Sequence, residues 1–198
     1  MTDPRTIKVY DEQAEKYENR FDKKAPDAHL TTFMDHLPKA GTILDLGCGT
    51  GGSTTHMVER GFVVTGMDAS EKMLEFARAK SDAHFIQGTF DDLDACNLYD
   101  GIWANFSLLH APREAFPKHL GAIHSALKPA GFFHLGMKTG DGAARDNIDR
   151  FYTYYAEQEL KDHLSEAGFE IVETSTGESP GLAGNVEPWM INLARRIS

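Results

Sequence analysis

Residues 44–52 read LDLGCGTGG, with four glycines in the six positions 47–52, directly behind the apolar run TILDL and ahead of STTHMVER. Glycine loses more backbone freedom on folding than any other residue, so this density needs a backbone reason. A strand that turns sharply into a helix, with its main chain open to close approach by a ligand, supplies one. A strand entering a helix through a tight turn is also the start of a βα unit, and the chain goes on to repeat the pattern.

Thr42–Leu46 is expected as a strand, Ser53–Arg60 as a helix ended by Gly61, and Phe62–Met67 (FVVTGM) as a β-branched strand. Ser70 offers an N-cap to EKMLEFARAK, whose Met73, Leu74 and Ala77 share one face. His84–Gln87 follows as a short strand, 88–97 as a polar loop and Tyr99–Asn105 as a strand. Arg113–Leu127 is expected as a helix stopped by Lys128-Pro129, then Phe132–Met137 as a strand and 139–150 as a glycine-rich charged loop. Glu157–Ala167 suits a helix closed by Gly168. Phe169–Thr174 and Trp189–Ala194 suit strands joined by a loop rich in Gly, Ser and Pro. Ahead of all this, Val9, Tyr10, Ala14, Tyr17 and Phe21 stand at near-helical spacing in an amphipathic helix over 8–24, with a second over 28–37. Alternating strands and helices imply a doubly wound parallel sheet. The last two strands lack a helix between them and should pair antiparallel, and a ligand should bind at the carboxyl ends of the strands.

Charge narrows the partners. Thirty acidic against twenty basic residues leave a net −10, which disfavours a phosphate backbone as partner, so nucleic acid is not expected. Cys48 and Cys96 lie far apart without a CxxC pair, and His119 and His124 are five apart, so no disulfide framework or metal site is expected. Neither a signal peptide nor a membrane-spanning stretch is visible, and the chain reads as cytoplasmic, a monomer or homodimer.

Four ligands compete for the glycine turn. A P-loop would need lysine where Ser53 stands, and a nucleophile elbow would need glycines flanking that serine; both fail. Gly47, Gly49 and Gly52 do satisfy GxGxxG, with Asp68 at the distance of a ribose-binding acid, so an NAD(P)-dependent oxidoreductase with its pyrophosphate on this loop stays open. Against it, Asp45 lies two residues before the first glycine and would repel a diphosphate. S-adenosylmethionine carries no phosphate; its ammonium and sulfonium favour a nearby acid, and its carboxylate suits amides at a helix N-terminus.

LDLGCGTG followed by VVTGMDAS resembles the class I S-adenosylmethionine-dependent methyltransferases, and the resemblance runs from about Tyr10 to the end. It implies a Rossmann-like, doubly wound seven-stranded sheet with the last strand antiparallel. The chain is then one domain over 1–198, with a helical cap over 1–40 and the core over 41–198. It further implies that Gly47, Cys48 and Gly49 run along the cofactor's methionine, that Asp45 orients its amino group, and that Asp68 accepts both ribose hydroxyls. Ala69 and Met73 would line the adenine. Where the family usually has Gly-Asp-X, this chain has GTF, so Thr89 and the Phe90 amide stand in for the acid. Asn105 and Phe106 in WANFSLLHAP would pass beneath the sulfonium, with Tyr17 closing over the cofactor.

Methyl transfer is an in-line displacement that chiefly requires alignment and exclusion of water, with a base only where the acceptor must lose a proton. His110 is the candidate base, with packing against the following helix as its alternative. Lys138, Arg150, Tyr152 and Tyr154 are the candidates for contacting a small, anionic or aromatic acceptor; Trp189 is expected in the core rather than there. A module that holds the cofactor without transferring the methyl is the remaining alternative.

Overall fold

A computed structural model describes residues 3–21 and 24–197. Helices α1 (Pro4–Phe21) and α2 (Ala28–Asp35) precede β1 (Thr42–Leu46), α3 (Gly52–Glu59), β2 (Val63–Asp68), α4 (Glu71–Lys80), β3 (His84–Gln87) and β4 (Tyr99–Asn105). Then come α5 (Phe116–Ala126), β5 (Leu127–Lys138), the short β6 (Ala143–Arg145) and β7 (Phe151–Thr153), α6 (Glu157–Glu166), β8 (Phe169–Pro180) and β9 (Val186–Arg196). The main sheet has seven strands in the order β3-β2-β1-β4-β5-β9-β8. β1 to β5 pair in parallel, and β9 runs antiparallel to both β5 and β8. This is the expected Rossmann-like α/β architecture. Among the described residues no helix is long and apolar enough to cross a membrane.

Alternation along β1 builds a core on each face of the sheet. Ile43 joins Phe33, Met57, Trp103 and Leu193, while Leu44 and Leu46 join Ile102, Phe116, Leu120 and Phe133. The chain leaves β1 toward β2 and β3 on one side and places β4 and β5 on the other. The carboxyl ends of β1 and β4 therefore diverge, and a crevice opens there.

Those ends are stitched by polar contacts. Ser107 Oγ donates to the Leu46 carbonyl at 2.6 Å, the amides of Gly47 and Cys48 both donate to the Met67 carbonyl, and Phe106 N donates to the Gly136 carbonyl. Gly47 has φ of +80°, and a Cβ on it would overlap Ser107 Cβ, so the approach needs glycine on two counts. Phe106, at φ +56°, is a bulky residue in the left-handed region, a strained conformation held by the amide bond to β5.

Helix α1 crosses above the crevice. It is tied to the β6–β7 segment by Arg5–Asp149 and Asp3–Arg145 ion pairs and by the Phe151 amide donating to Thr6 Oγ1 at 2.8 Å. Ser70 Oγ donates to Asp11 at 2.6 Å, and Lys80 pairs with Glu18, fixing its other flank.

Several boundaries differ from expectation. α1 starts at Pro4, with proline in its first turn and Asp3 accepting from the Thr6 amide. Asp22 and Lys23 of the expected 8–24 helix lie outside the described residues. α5 begins at Phe116 because 113–115 form a 3-10 turn, and the 88–97 loop contains another at 90–92. The 139–150 loop holds β6, whose turn into β7 is folded on Asp146 Oδ1, acceptor for the amides of Ile148 and Arg150. The largest difference is the expected Gly/Ser/Pro loop, most of which is strand. β8 and β9 continue as a hairpin to the pair Pro180–Val186, and Gly177 leaves room for the Trp189 indole.

Gly47→Ala should destabilise the protein by about 2–4 kcal/mol, from overlap with Ser107 and the positive φ together. Gly52→Ala, with an unstrained φ and nothing within 4 Å, should change stability by less than about 0.5 kcal/mol. Urea unfolding of the two variants checks the contrast, and equal losses would contradict it.

Candidate functional site

Two cavities open in the crevice. The narrower lies under α1, between the glycine turn and the ends of β2 and β3, and is lined by Gly47, Gly49, Asp68, Ala69, Met73, Thr89 and Phe90, with Tyr10, Tyr17 and His110. The wider, of about 400 Å³, is lined by Asp45, Cys48, Trp103, Leu109, Lys138, Arg150, Tyr152, Glu187 and Trp189. Tyr10, Tyr17, Gly47, Asn105 and Phe106 line both, so the cavities meet at the ends of β1 and β4. All of the expected cofactor residues therefore border one cavity or the other, and Lys138, Arg150 and Tyr152 border the wider one. Tyr154 borders neither; its hydroxyl donates to Glu187 Oε1 at 3.0 Å.

The glycine turn uses its own amides. Gly47 and Cys48 give theirs to Met67 as described, and Gly49 gives its amide to Asp68 Oδ2 at 2.8 Å. At the start of α3, Gly51 caps the helix in the left-handed region without a side-chain cap bond, and Gly52 and Ser53 of the first turn border the wider cavity. Cys48 is buried, and burial pushes its thiol well above the ordinary range, so it is an inert wall.

Two acids sit in the crevice without a cationic partner among their bonds. Asp45 is 3% exposed and accepts from Thr54 Oγ1 at 2.7 Å; burial pushes its carboxyl up to about 7, against the pull of Thr54. Asp68 accepts from Gly49 N and, through Oδ1, from Ser70 N at 2.9 Å. Burial raises its pKa while those amides oppose the rise. With its two oxygens divided between these amides, the Asp68 carboxylate still has lone-pair capacity for a ligand.

Thr89 is more committed than expected. Its hydroxyl donates to Asp92 Oδ2 at 2.8 Å, and its amide donates to the same oxygen at 2.8 Å, a reciprocal cap of the 90–92 turn. Phe90 packs on the core edge with His119 against it, presenting an apolar wall beside Met73.

His110 is fully engaged. One ring nitrogen, Nδ1, is 2.6 Å from the Phe151 carbonyl, which can only accept, so Nδ1 carries the proton. Nε2 then accepts from the Tyr10 hydroxyl at 2.7 Å. Burial lowers the pKa of the ring to about 3, helped by Arg150 and Lys138, so the imidazole is neutral at ordinary pH. Arg150 Nη1 donates back to the Tyr10 oxygen at 3.0 Å. The expected direct base is thus a neutral acceptor for Tyr10, a residue that, like Tyr17, lines both cavities. Tyr10 shares with Tyr17 the cavity-facing side of α1 seven residues away, a spacing that two helical turns would have flagged.

The cations are paired. Arg150, 3% exposed, makes a two-donor contact with Asp146, and Lys138 pairs with Glu187 while lying 3.9 Å from the Tyr152 ring centre. Burial lowers the Lys138 pKa, with Glu187 opposing. Neither belongs to a solvated loop face. Trp189 borders the wider cavity, with the hairpin tip Ser179–Leu182 beside it, rather than sitting wholly in the core.

Comparison with known proteins matches this geometry to a family. Residues 43–131 fit the family model described as a methyltransferase domain. The chain is 36% identical over 139 residues to the cypemycin N-terminal methyltransferase of a Streptomyces species, covering 66% of this chain and 56% of that protein. It is 28% identical over 164 residues to a trans-aconitate 2-methyltransferase of Deinococcus radiodurans, covering 81% of this chain and 59% of the other. The chain thus spans little more than half the length of these curated relatives. Among solved structures it resembles the 1,6-didemethyltoxoflavin-N1-methyltransferase of Burkholderia thailandensis with 1,6-didemethyltoxoflavin and S-adenosylhomocysteine bound. That match has a TM-score of 0.76 and 25% identity, and covers 97% of this chain and 88% of that one. These matches, the seven-stranded sheet and the acids at the ends of β1 and β2 agree: residues 43–131 are a methyltransferase domain, in a chain with the fold of the class I S-adenosylmethionine-dependent methyltransferases.

Proposed function

We propose that this protein transfers the methyl group of S-adenosylmethionine to a small-molecule acceptor, residues 1–198 acting as one domain with 1–40 as its cap. The observation that carries the reading is the meeting of the two cavities at Asn105 and Phe106. One is a narrow slot ending in a diol-sized carboxylate. The other is a chamber of about 400 Å³, within the size range of small-molecule sites.

S-adenosylmethionine supplies an activated methyl. The chain's part is to hold and align. Free lone pairs on Asp68 suit the two ribose hydroxyls, and Ala69, Met73 and Phe90 suit an adenine between apolar walls. Thr89 reaches the adenine only by sharing its capping hydroxyl. Asp45 faces the cationic methionine end, which the first-turn amides of α3 complete by suiting a carboxylate. Tyr17 covers Gly49, and Lys138, Arg150 and Tyr152 form the chamber wall toward the acceptor; Tyr154 acts on that wall through Glu187. An acceptor with a free lone pair needs no base; one that must lose a proton has only the Tyr10–His110 relay beside it, in which Tyr10 takes the proton and passes its own to Nε2, a transfer that the low pKa of the buried ring makes slow.

Titration with S-adenosylhomocysteine and a radiolabelled-methyl screen of small acceptors test the reading. No binding would end it, whereas binding with no transfer to any acceptor would favour a cofactor-holding module. Asp68→Ala should weaken cofactor binding by about 1–3 kcal/mol, and unchanged affinity would remove Asp68 from the ribose.

Affinity should also depend on pH. The empty site holds the Asp45 carboxyl at about 7, and the ammonium selects its ionised form. Below that pH, binding must expel a proton. Affinity should therefore fall as pH drops, by up to about tenfold per unit, and level off above it. Asp45→Asn should flatten the part of the profile that Asp45 contributes, leaving whatever Asp68 adds.

His110→Ala should lower kcat for acceptors that require deprotonation while leaving cofactor affinity within about twofold, since both ring nitrogens are taken up by Tyr10 and Phe151 and only the ring's edge borders the narrower cavity. Equal loss of both would mark His110 as a structural residue.

A further inference from the structure

The register of β4 on β5 sets three residues behind the junction of the cavities. Trp103 pairs with His134 and Asn105 with Gly136, so the side chains of Trp103, Asn105 and His134 share one face of the sheet. The His134 ring lies on Trp103 with centroids 3.5 Å apart and planes 19° apart, and Phe33 meets its edge at 6.3 Å. Held there, its Nε2 is 3.1 Å from Asn105 Oδ1. Gly136 provides the room, since a Cβ on it would stand 2.6 Å from that same oxygen.

The chemistry of the pair has one consistent solution that leaves a donor toward the ligand. Burial, with His29 nearby, drives the His134 pKa well below its ordinary value, so the ring is neutral and carries a single N–H. If that N–H is on Nε2, it donates to Asn105 Oδ1 and occupies the acceptor end of the amide. The NH2 end then faces the junction, because Asn105 lines both cavities. The opposite arrangement, with the proton on Nδ1, would set the Nε2 lone pair against the lone pairs of the Asn105 Oδ1 that stands 3.1 Å from it.

We propose that His134 is a positioning residue: by donating Nε2–H to Asn105 Oδ1 it fixes the Asn105 amide with its NH2 at the junction, as a hydrogen-bond donor to the methionine end of the cofactor. This adds a residue from β5, outside the cavity lining itself, to the proposed cofactor site, and it rests on that site for the identity of the ligand. It also gives the W-x-N of β4 and the H-x-G of β5 one shared purpose: an aromatic platform, an orienting donor, a gap, and the amide that fills it.

Nitrogen-15 shifts of the imidazole in the unaltered protein read the tautomer directly, with no variant needed. The expected result is the Nε2–H form, unchanged across the neutral pH range. His134→Phe keeps the stack on Trp103 and removes the donor; it should weaken S-adenosylhomocysteine binding by about 3- to 10-fold. His134→Gln, whose amide N–H can approach the same oxygen, should recover part of that loss. Asn105→Ala should show a similar loss, and adding His134→Phe to it should cost little more, since the two act through one bond. An Nδ1–H tautomer, unchanged affinity in His134→Phe, or additive losses in the double variant would each overturn the proposal. Failure of the unaltered protein to bind S-adenosylhomocysteine would overturn the proposed function and this role together. Binding alongside an Nδ1–H ring would overturn only the present inference.

Discussion

The site exists because the ends of β1 and β4 diverge yet stay in contact. Parallel strands whose chains leave in opposite directions open a crevice, and any protein of this topology has one. What is particular here is how closely the two loops approach: Ser107 lies where a side chain on Gly47 would be and bonds to the Leu46 carbonyl. That contact fixes the turn, and with it the Gly49 amide that Asp68 accepts. Phe106, bent into the left-handed region one residue earlier, pays for the approach with backbone strain and gains its place at the junction of the cavities.

Electrostatics divides the crevice into two kinds of surface. Asp45 and Asp68 are buried acids that accept from the neutral donors Thr54, Gly49 and Ser70, and burial raises both. They are destabilised when ionised, and a cation or a pair of hydroxyls would relieve them. Arg150 and Lys138 are matched by Asp146 and Glu187, which leaves little unpaired positive charge. A diphosphate would meet the first surface at its worst point. A zwitterionic sulfonium nucleoside meets it at its best, so the charge argument drawn from Asp45 agrees with the family match.

The sheet was legible from the sequence because its information is local. Strand-turn-helix periods repeat, and Gly61, Gly168 and Pro129 punctuate them. The β8–β9 hairpin was hidden for a physical reason: β8 is an edge strand, so Thr174, Glu178 and Ser179 face water and resemble a loop. The cap at Thr89 was open to view, since Thr-Phe-Asp-Asp has the spacing of a reciprocal cap. The family pattern drew Thr89 toward adenine instead. Residues facing the cavities could be named from the motif, but their partners could not. Tyr10 meets His110 across 100 positions and Arg150 across 140, and no local pattern encodes such a pairing.

Those long-range bonds explain why α1 belongs to the site rather than merely covering it. Thr6, Ile7, Tyr10 and Tyr17 form one wall of the narrower cavity, so a ligand as large as a nucleoside needs the helix to yield on entry. Its ties along the outer edge are ion pairs, the exposed Arg5–Asp149 and the half-buried Lys80–Glu18 among them, and the exposed one is weak and screened by salt. Its inner ties, Tyr10 to His110 and Arg150, are buried and each is costly to leave unmade. A helix held by weak outer contacts and by an inner bond at the ligand's own position can open without unfolding the core. The residue whose hydroxyl completes the His110 and Arg150 contacts is also part of the wall that the two cavities share.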